Sequence, residues 1–443
     1  MGSTRIHALS VSARAALVAV VLTVASLGQA TAAAPSTVSA TAALEWNATA
    51  VAAVRAAHTT DGGPSRTLYQ TEGLLYMSYV QAAVYDATMK ISNRYTLYHN
   101  FSARAGDASI KAAVISAAYN TIKAYLGDSD GSLLAKYNHD IGTLPRDQRT
   151  LRGIAVGKAA SADLVALRAN DGRNAVADDA CSTNTTPGNW VCPPLPSLQT
   201  KQTPWVAVMK PFLLRSDSQF RAPAPPALTD PQWIADRNET TKYGKSNSTF
   251  RSDEQTAIAT FWNFNAINQS NQTLRDVATQ HSMDLVDTVR LLAMGNIVST
   301  DAGIACFESK YHYLFWRPIT AIQADGVAAD ATWSPLFATP NHPEYPSQHG
   351  CVTSALAQTI ARALGTSHIN VTIHGLPVNP PTPTSTVVRT YATVNAIETQ
   401  LVNARVWIGF HYRHSVIVGE NLGNAVAAWT LDRYFLPKTG EDD

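Results

Sequence analysis

The chain has 443 residues, of which 45% are hydrophobic and only 15% are charged, and its formal net charge is +1 at pH 7. A chain of this length has ample apolar surface for a large core. Because it is nearly neutral and has no basic run, it is not expected to bind nucleic acid, and any anion site must be built from a few local side chains.

Residues 1–32 have the pattern of a signal peptide. Arg5 and Arg14 supply a positive region, residues 15–27 are apolar, and residues 30–32 form an Ala-x-Ala cleavage signal. The apolar run is too short to span a bilayer, and no later stretch is apolar for long enough to do so. We therefore predict that the mature chain is secreted and has no membrane span.

Most of the mature chain has the three-and-four spacing of apolar residues that predicts amphipathic helices. The predicted helices cover residues 68–90, 108–126, 146–168, a segment that begins at a capping box of Ser252 and Gln255, 276–297 and 346–364. Proline-rich segments interrupt the pattern at 180–231 and 377–384, and no segment shows the alternation that would demand a sheet. We predict an all-α fold in which residues 33–443 form a single helical-bundle domain.

The cysteines divide into two pairs. Cys181 and Cys192 bracket a polar loop in the irregular connector over 180–231. A local disulfide between them suits an oxidising compartment. Cys306 and Cys351 either pair or remain buried thiols, and the sequence does not decide between these alternatives.

Three polar segments stand out because their charged groups are costly to bury in such an apolar chain. In the first, Lys310 and Arg317 are seven residues apart, nearly two turns of a helix, so they are expected on one face among aromatic side chains. Two cations on one face need a counter-anion unless they lie in water. The alternative is a pair of side chains that extend from a surface helix into solvent.

The second segment is His342-Pro-Glu-Tyr-Pro-Ser347-Gln348-His349, followed by a predicted helix. Pro346 and Ser347 are typical of a helix start. The free N–H groups and the dipole of a helix N-terminus attract an anion, and His349 in the first turn is placed to exchange a proton. The alternative is a capped helix with an incidental histidine.

The third segment runs from Arg405 to Ser415, and Gly409 is expected to break the helix between Arg405 and His411. His411 and Ser415 are four residues apart, so they are expected on one face. A histidine acts as a nucleophile or as a ligand of an oxyanion centre, although an ordinary core or surface histidine is the alternative. Together the three segments supply the cations, helix N-terminus and histidines that phosphoryl-type chemistry requires, and we predict that they converge on one pocket.

Three motifs can be written within residues 301–420: Lys310-x6-Arg317-Pro318, Pro346-Ser347-x-His349 and Arg405-x5-His411. In order and internal spacing they resemble the motifs shared by vanadium-dependent haloperoxidases and the type 2 phosphatidic-acid-phosphatase superfamily. The resemblance implies a helical bundle of the haloperoxidase and acid-phosphatase type that holds vanadate or phosphate.

The resemblance also implies a role for each motif residue. The residues that would bind the oxygens of the anion are Lys310, Arg317, Ser347, Gln348 through its backbone N–H, and Arg405. His411 would bond vanadium or attack phosphorus, and His349 would be the acid–base group.

Two positions depart from the family pattern. Gln348 stands where the family usually has glycine, and it would crowd the site or add a donor. Ser415 stands where the family usually has an aspartate, four residues after the nucleophilic histidine. Ser415 can accept the His411 N–H but carries no charge to stabilise an imidazolium, and this loss should hurt a phosphatase more than a haloperoxidase.

His342 lies seven residues before His349, where haloperoxidases have a halide-site residue, and a histidine there resembles the bromide-type enzymes. An ordinary loop histidine is the alternative. We predict a haloperoxidase that uses vanadate and hydrogen peroxide to oxidise halide, bromide in preference, in the presence of a small organic substrate. The alternatives are a secreted acid phosphatase that attacks a phosphoester with His411, and a non-catalytic member that binds an anion or a partner. The sequence leaves the organic substrate and the oligomeric state open.

Overall fold

A computed structural model describes residues 39–59, 65–173, 175–193, 200–324, 329–378 and 385–438, together with Gly2. The predicted signal peptide over 1–32 lies outside the described residues apart from Gly2, as does most of the proline-rich break at 377–384. The helices and strands given below belong to the compact unit Val38–Asp443.

The described chain folds mainly into α-helices, as the apolar periodicity predicts. The helices are α1 (Thr41–Ala56), α2 (Gln70–Ser92), α3 (Ile110–Leu126), α4 (Ser132–Gly142), α5 (Gln148–Leu167), α6 (Pro231–Tyr243), α7 (Asp253–Phe261), α8 (Ala266–Gln280), α9 (Leu285–Tyr313), α10 (Pro318–Ala324), α11 (Gln348–Leu364), α12 (Val394–Trp407) and α13 (Arg413–Leu431). The strands are β1 (His58–Thr59), β2 (Arg66–Thr67), β3 (Val371–Gly375) and β4 (Val387–Tyr391). The all-α fold class is confirmed. No helix among the described residues is long and apolar enough to cross a membrane.

Local capping interactions explain why several helices begin and end where the sequence predicts. The side chains of Ser109 and Asp147 accept backbone N–H groups at the starts of α3 and α5. Ser252 and Gln255 form the predicted capping box at the start of α7. Gly365 ends α11 in the left-handed conformation, with φ of 69°.

The prediction of one helix over 276–297 is wrong. α8 ends at Gln280, and Ser282 has a left-handed φ of 48°, which an α-helix does not allow. α9 begins after Asp284, whose side chain accepts the N–H of Asp287 at 2.8 Å. Both helices bury an apolar face, so the apolar spacing continues across the turn and does not reveal it.

The expectation that no segment forms a sheet also needs correction. β3 and β4 pair antiparallel, with Val371 opposite Tyr391, and alternate residues of β3 are buried. Gln269 of α8 donates to the carbonyl oxygen of His374 at 2.8 Å, which holds the hairpin against α8. A five-residue strand is too short for its alternation to stand out in the sequence.

α9 is the central helix of the described bundle. It is 29 residues long, and every residue from Leu291 to Lys310 is buried. A helix that is buried on all faces must be surrounded by other elements, and α9 contacts α2, α8, α11 and α13. Lys310, the first cation of the predicted site, therefore lies inside the bundle and not on its surface.

α11 and α13 approach each other closely next to the second and third motifs. A Cβ on Gly423 of α13 would lie 2.1 Å from the carbonyl oxygen of Cys351, and one on Gly419 would lie 2.6 Å from that of Ser347. Only glycine permits backbones to come this close. The N-terminus of α11 is consequently packed against α13.

A buried carboxylate fixes the connector to α9. Asp301 accepts backbone N–H groups from Phe212 and Leu213, both at 2.7 Å, and from Leu214 at 3.1 Å. Burial raises the pKa of this carboxyl to about 6, and the three N–H donors oppose that rise. Asp301 is thus a structural anchor whose two oxygens are both satisfied.

The connector also packs over the second motif. The Tyr345 hydroxyl donates to the carbonyl oxygen of Pro223 at 2.7 Å. Near the start of the connector, the predicted disulfide between Cys181 and Cys192 is confirmed. The irregular segment therefore closes one side of the bundle where the motif residues lie.

Candidate active site

The first motif does not lie on a single helix, and the expectation of a shared helical face is wrong. α9 ends at Tyr313, Leu314 is left-handed with φ of 48°, and Arg317 precedes α10. The two cations still reach the same segment. Lys310 Nζ donates to the carbonyl oxygen of Glu344 at 2.9 Å, and Arg317 Nε donates to that of His342 at 2.9 Å. Tertiary folding, and not helical spacing, brings them together.

Arg317 links the second motif to the third. Its Nε donates to the carbonyl oxygen of His342 at 2.9 Å, and its Nη1 donates to that of Phe410 at 3.0 Å. The same Nη1 lies 3.3 Å from His411 Nε2. Arg317 is fully buried, so these contacts fix the guanidinium beside the imidazole.

Ser347 is the N-cap residue of α11, as predicted, but its hydroxyl makes no capping hydrogen bond. Its backbone N–H donates to the carbonyl oxygen of Ser415 at 3.0 Å, and its side chain makes no capping bond. Its Oγ is buried without a hydrogen-bond partner in the described part of the chain, and the same is true of His349 Nε2 in the first turn of α11. Two polar atoms at a helix N-terminus are thus available to a ligand.

Arg405 lies near the end of α12, and its guanidinium stands 5.2 Å from the centre of the Phe410 ring. Its Nη1 donates weakly to the Trp262 carbonyl oxygen at 3.5 Å, and its Nε has no partner among the described residues. Burial, followed by repulsion from Arg317, lowers the Arg405 pKa to about 9. A buried guanidinium that no described carboxylate pairs calls for an anion.

Positive charge is therefore concentrated in one buried region, which we call the oxyanion cage and define as Lys310, Arg317, Ser347, Gln348, His349, Arg405 and His411. Burial lowers the pKa of Lys310 to about 8 and that of Arg317 to about 10. Among the described residues, Glu344 is the carboxylate bonded to this region, through His411. Three buried cations therefore fit a small oxyanion with several negatively charged oxygens.

The histidines of this region are uncharged in the absence of an anion. Burial lowers the pKa of His349 well below its usual range, and the Arg405, Lys310 and Arg317 charges lower it further. Burial and the same three cations have the same effect on His411. A bound anion would offset the charge of the cations and raise the pKa of both histidines. The histidines could then exchange a proton when an anion occupies the cage.

Glu344 is a site residue that the motif analysis missed. The residue is fully buried, and its Oε1 accepts from His411 Nδ1 at 2.8 Å and from the Tyr412 N–H at 3.1 Å. Its Oε2 accepts from the Ser415 hydroxyl at 2.6 Å. The expectation that Ser415 accepts the His411 N–H is therefore wrong. The sequence signal was an acidic residue in an apolar Pro-Glu-Tyr-Pro segment.

The Gln348 side chain turns away to another helix. Its Nε2 donates to the Thr71 hydroxyl of α2 at 2.8 Å. The glutamine that replaces the family's glycine is thus accommodated by a contact between α11 and α2. Its backbone N–H stays at the first position of α11, where an anion is favoured.

His342 borders the cage on the Arg317 side. It is buried, its Nδ1 lies 3.0 Å from Arg317 Nη2, and its ring packs at 5.2 Å against Phe307. Burial, followed by the Arg317 charge, holds its pKa well below the usual range, so this imidazole is neutral.

The remaining cysteines do not form a disulfide. Cys306 and Cys351 are both buried free thiols, which answers the question that the sequence left open. The Cys306 thiol faces the carbonyl oxygen of Pro346 at 3.6 Å. Both residues help pack α9 against the N-terminus of α11.

The segment that carries the three motifs is similar to known proteins. Residues 290–436 match a family model described as the VCPO second helical-bundle domain. The chain is 27% identical over 194 residues to vanadium chloroperoxidase of Curvularia inaequalis. That match covers 34% of this chain and 32% of the relative, so the similarity spans about a third of the relative's length.

Solved structures resemble the chain over a greater length. A bacterial vanadium-dependent iodoperoxidase superposes with a TM-score of 0.73 at 17% identity, covering 90% of this chain and 98% of the other. The holo-type structure of a bacterial vanadium-dependent chloroperoxidase superposes with a TM-score of 0.67 at 19% identity, covering 82% and 91%. At these identities the structures establish a shared fold.

Proposed function

We propose that the chain is a vanadate-dependent haloperoxidase, since residues 290–436 match the VCPO second helical-bundle domain and part of the chain is similar to vanadium chloroperoxidase. One observation carries the proposal. Ser347 Oγ, His349 Nε2 and Arg405 Nε are buried polar atoms without a partner among the described residues, and they accompany three buried cations. Vanadate has the charge and the oxygen acceptors to satisfy this set.

The residues of the cage fit vanadate by their chemistry. The Lys310, Arg317 and Arg405 side chains would neutralise its oxygens, helped by the Ser347 hydroxyl and the Gln348 N–H. His411 Nδ1 is engaged by Glu344, which leaves Nε2 as the ring nitrogen that would bond vanadium. The chemistry supplied by bound vanadate is the activation of hydrogen peroxide for the two-electron oxidation of a halide to hypohalous acid.

His349 is the acid–base group in this proposal. Its Nε2 is buried and unpartnered, and the residue as a whole is partly exposed, so it can pass a proton between the cage and the solvent. An anion in the cage would raise its pKa, because the three cations that lower it would be neutralised. Peroxide binding requires such a proton acceptor, and water release requires a donor.

We propose that bromide and iodide are oxidised in preference to chloride. His342 is neutral beside Arg317, so it would present a ring N–H to a halide rather than a positive charge. Bromide is easier to oxidise than chloride, and a site that is not tuned for the harder oxidation should still turn over bromide. Replacing His342 with phenylalanine should change the halide preference more than the vanadate affinity.

We also propose that the enzyme is secreted. The signal-peptide pattern over 1–32 supports export, and the Cys181–Cys192 disulfide suits an oxidising compartment. The partners in this proposal are hydrogen peroxide, halide and a small organic molecule that hypohalous acid attacks.

A secreted acid phosphatase remains the second candidate, and one observation favours it. Glu344 supplies a buried carboxylate to His411, so the serine at 415 does not deprive the histidine of an anionic partner. With this support, His411 Nε2 could act as the nucleophile toward a phosphoester bound in the same cage.

The decisive experiment measures bromination of a phenol-red-type dye by the purified protein with bromide and hydrogen peroxide, with and without added vanadate. We expect bromination that requires vanadate and that is lost in His411→Ala. His281→Ala changes an exposed histidine and serves as the matched control. Hydrolysis of a generic phosphomonoester, inhibited by vanadate and without bromination, would instead establish the phosphatase.

The same assay separates the two cage histidines. His349→Ala should retain much of the vanadate affinity while its turnover falls by roughly 10²- to 10⁴-fold, the usual contribution of a general acid–base group. Equal loss of vanadate binding in His349→Ala and His411→Ala would contradict this division of roles. Tight phosphate binding with neither activity would point to a non-catalytic member of the fold.

A further inference from the structure

The carboxylate of Glu344 joins the second and third motifs through its side chain. One oxygen accepts from His411 Nδ1 and the Tyr412 N–H, and the other accepts from the Ser415 hydroxyl. The side chain is fully buried, and the three groups that bond to it lie 67 to 71 residues after Glu344 in the sequence. Because both oxygens of the carboxylate have hydrogen-bond partners, these bonds hold the side chain in one orientation.

This contact fixes which nitrogen of His411 faces the cage. Burial raises the pKa of Glu344 to about 7, and the hydrogen bonds from Ser415 and Tyr412 oppose that rise by favouring the ionised form. The ionised carboxylate can only accept, so His411 Nδ1 then carries the proton that it donates to Glu344. In the neutral ring Nε2 is then an unprotonated nitrogen, and it lies 3.3 Å from Arg317 Nη1. The ring nitrogen that would meet an oxyanion therefore has its lone pair available, as a ligand or a nucleophile requires.

We propose that Glu344 is the positioning residue for His411 and that it has taken over the part which the resembled family gives to an aspartate four residues after the histidine. Ser415 occupies that aspartate's position and donates its hydroxyl to Glu344. The carboxylate has thus moved from the third motif to the second, while the hydrogen bond to the imidazole is retained. This inference rests on the proposed function only in requiring that the cage binds a tetrahedral oxyanion.

The carboxylate can be tested apart from the backbone of the same residue. Lys310 Nζ bonds to the main-chain oxygen of Glu344, not to its carboxylate. The Glu344 N–H donates to the Phe315 carbonyl oxygen at 3.0 Å, which is again a main-chain contact. Glu344→Gln keeps both contacts and the side-chain volume and removes only the charge and one acceptor.

Vanadate and phosphate respond differently if Glu344 acts through His411. In the proposed site, vanadate would bond to the His411 nitrogen, whereas inorganic phosphate would be held by charge and hydrogen bonds. Loss of a buried negative charge makes the cage more positive and does not weaken phosphate binding electrostatically. Loss of the partner of a ligating histidine usually lowers affinity for the centre by roughly 10- to 100-fold.

The experiment measures dissociation constants for vanadate and for inorganic phosphate by calorimetry on the full-length protein. In Glu344→Gln, we expect vanadate affinity to fall roughly 10- to 100-fold while phosphate affinity is unchanged or higher. Adding Ser415→Asp to that variant should restore most of the vanadate affinity, because a carboxylate returns four residues after His411. Adding Ser415→Asn is the matched control and should restore little.

Several outcomes would overturn the proposal. They are unchanged vanadate affinity in Glu344→Gln, parallel loss of both anions, or failure of Ser415→Asp to restore vanadate binding. If Glu344→Gln does not fold, the ¹⁵N chemical shifts of His411 in the unmodified protein decide. A proton on Nδ1 supports the assignment, and a proton on Nε2 overturns it. Absence of halide oxidation would overturn the proposed function, but the binding results would still decide the role of Glu344.

Discussion

Two groups of buried charge lie along α9, and they are built in opposite ways. Around Asp301, in the middle of the helix, three backbone N–H groups satisfy both carboxylate oxygens. In the oxyanion cage, at the end of α9, three cations are buried together, and Arg405 has an unpartnered Nε among the described residues. In the first group each carboxylate oxygen has a hydrogen-bond donor, whereas the second group retains buried polar atoms that an anion would satisfy.

This difference in hydrogen bonding supports a ligand-binding role for the cage on energetic grounds. A buried charge without its full set of partners costs free energy, so a fold retains it only where something else depends on it. The Asp301 anchor has no such deficit and needs no ligand. Among the described residues, the cage has buried polar atoms without a partner in its second and third motifs, at Ser347, His349 and Arg405.

The largest effect on stability is expected for Asp301→Asn. The amide oxygen can replace the carboxylate oxygen that accepts from Leu213 and Leu214, so the Phe212 N–H loses its acceptor and faces the amide N–H₂ group. We therefore expect the free energy of unfolding to fall by roughly 1–3 kcal/mol. Urea unfolding followed by circular dichroism measures the loss. The vanadate affinity of the folded fraction should change less than threefold, and a large loss of affinity would undo the contrast between the two regions.

The opposite pattern is expected for Arg405→Met. Removing the guanidinium should weaken vanadate binding by about 2–5 kcal/mol, the usual result of deleting one partner of a buried charge pair. The oxyanion-free protein should become more stable by on the order of 1 kcal/mol, because an incompletely paired cation is replaced by an apolar side chain. Calorimetric titration and urea unfolding of the same preparation give both values. Destabilisation of the oxyanion-free protein would show that Arg405 is structural.

The two regions should also respond to pH in opposite directions. The folded pKa of Asp301, about 6, is above its ordinary value of 3.8, so the folded state binds more protons between these values and stability falls as pH rises from about 4 to 6. The folded pKa of Lys310, about 8, is below its ordinary 10.5, so the stability of the oxyanion-free protein rises from pH 8 to 10.5. Each fully shifted proton changes stability by about 1.4 kcal/mol per pH unit.

Unfolding curves across this pH range provide the measurement. Asp301→Asn should flatten part of the acidic slope, and Lys310→Met should flatten the part of the alkaline slope that begins near pH 8. Vanadate affinity should decline above pH 8, since the cage loses the Lys310 charge there. A vanadate affinity that stays constant to pH 10 would argue that Lys310 does not contact the anion.

The smallest effect is expected at the border of the cage, for Gln348→Ala. Its side chain bonds to Thr71 and not to a cage residue, so the free energy of unfolding should fall by about 0.5–1.5 kcal/mol, the value of one hydrogen bond. Vanadate affinity should stay within threefold, because the backbone N–H is kept. Thr71→Val removes the other partner, and a double-mutant cycle isolates the bond. A tenfold change in affinity would place the Gln348 side chain in the cage.

Much of the local structure could be predicted because its causes are local. The capping box of Ser252 and Gln255, the start of α11 after Ser347 and its end at Gly365 depend on contacts within four residues. The turn at Ser282 was missed, since apolar periodicity marks which face is buried and not whether the backbone is continuous.

The motif spacing by itself determined which residues are candidates for the site and which superfamily the chain resembles, because a buried oxyanion requires cations and hydrogen-bond donors. Only the tertiary structure decided how they are held. The pairing of Glu344 with His411 joins residues 67 positions apart, and the break at Leu314 turns Arg317 back toward Lys310. Such contacts form between elements that fold together, and no spacing along one segment encodes the distance between two others.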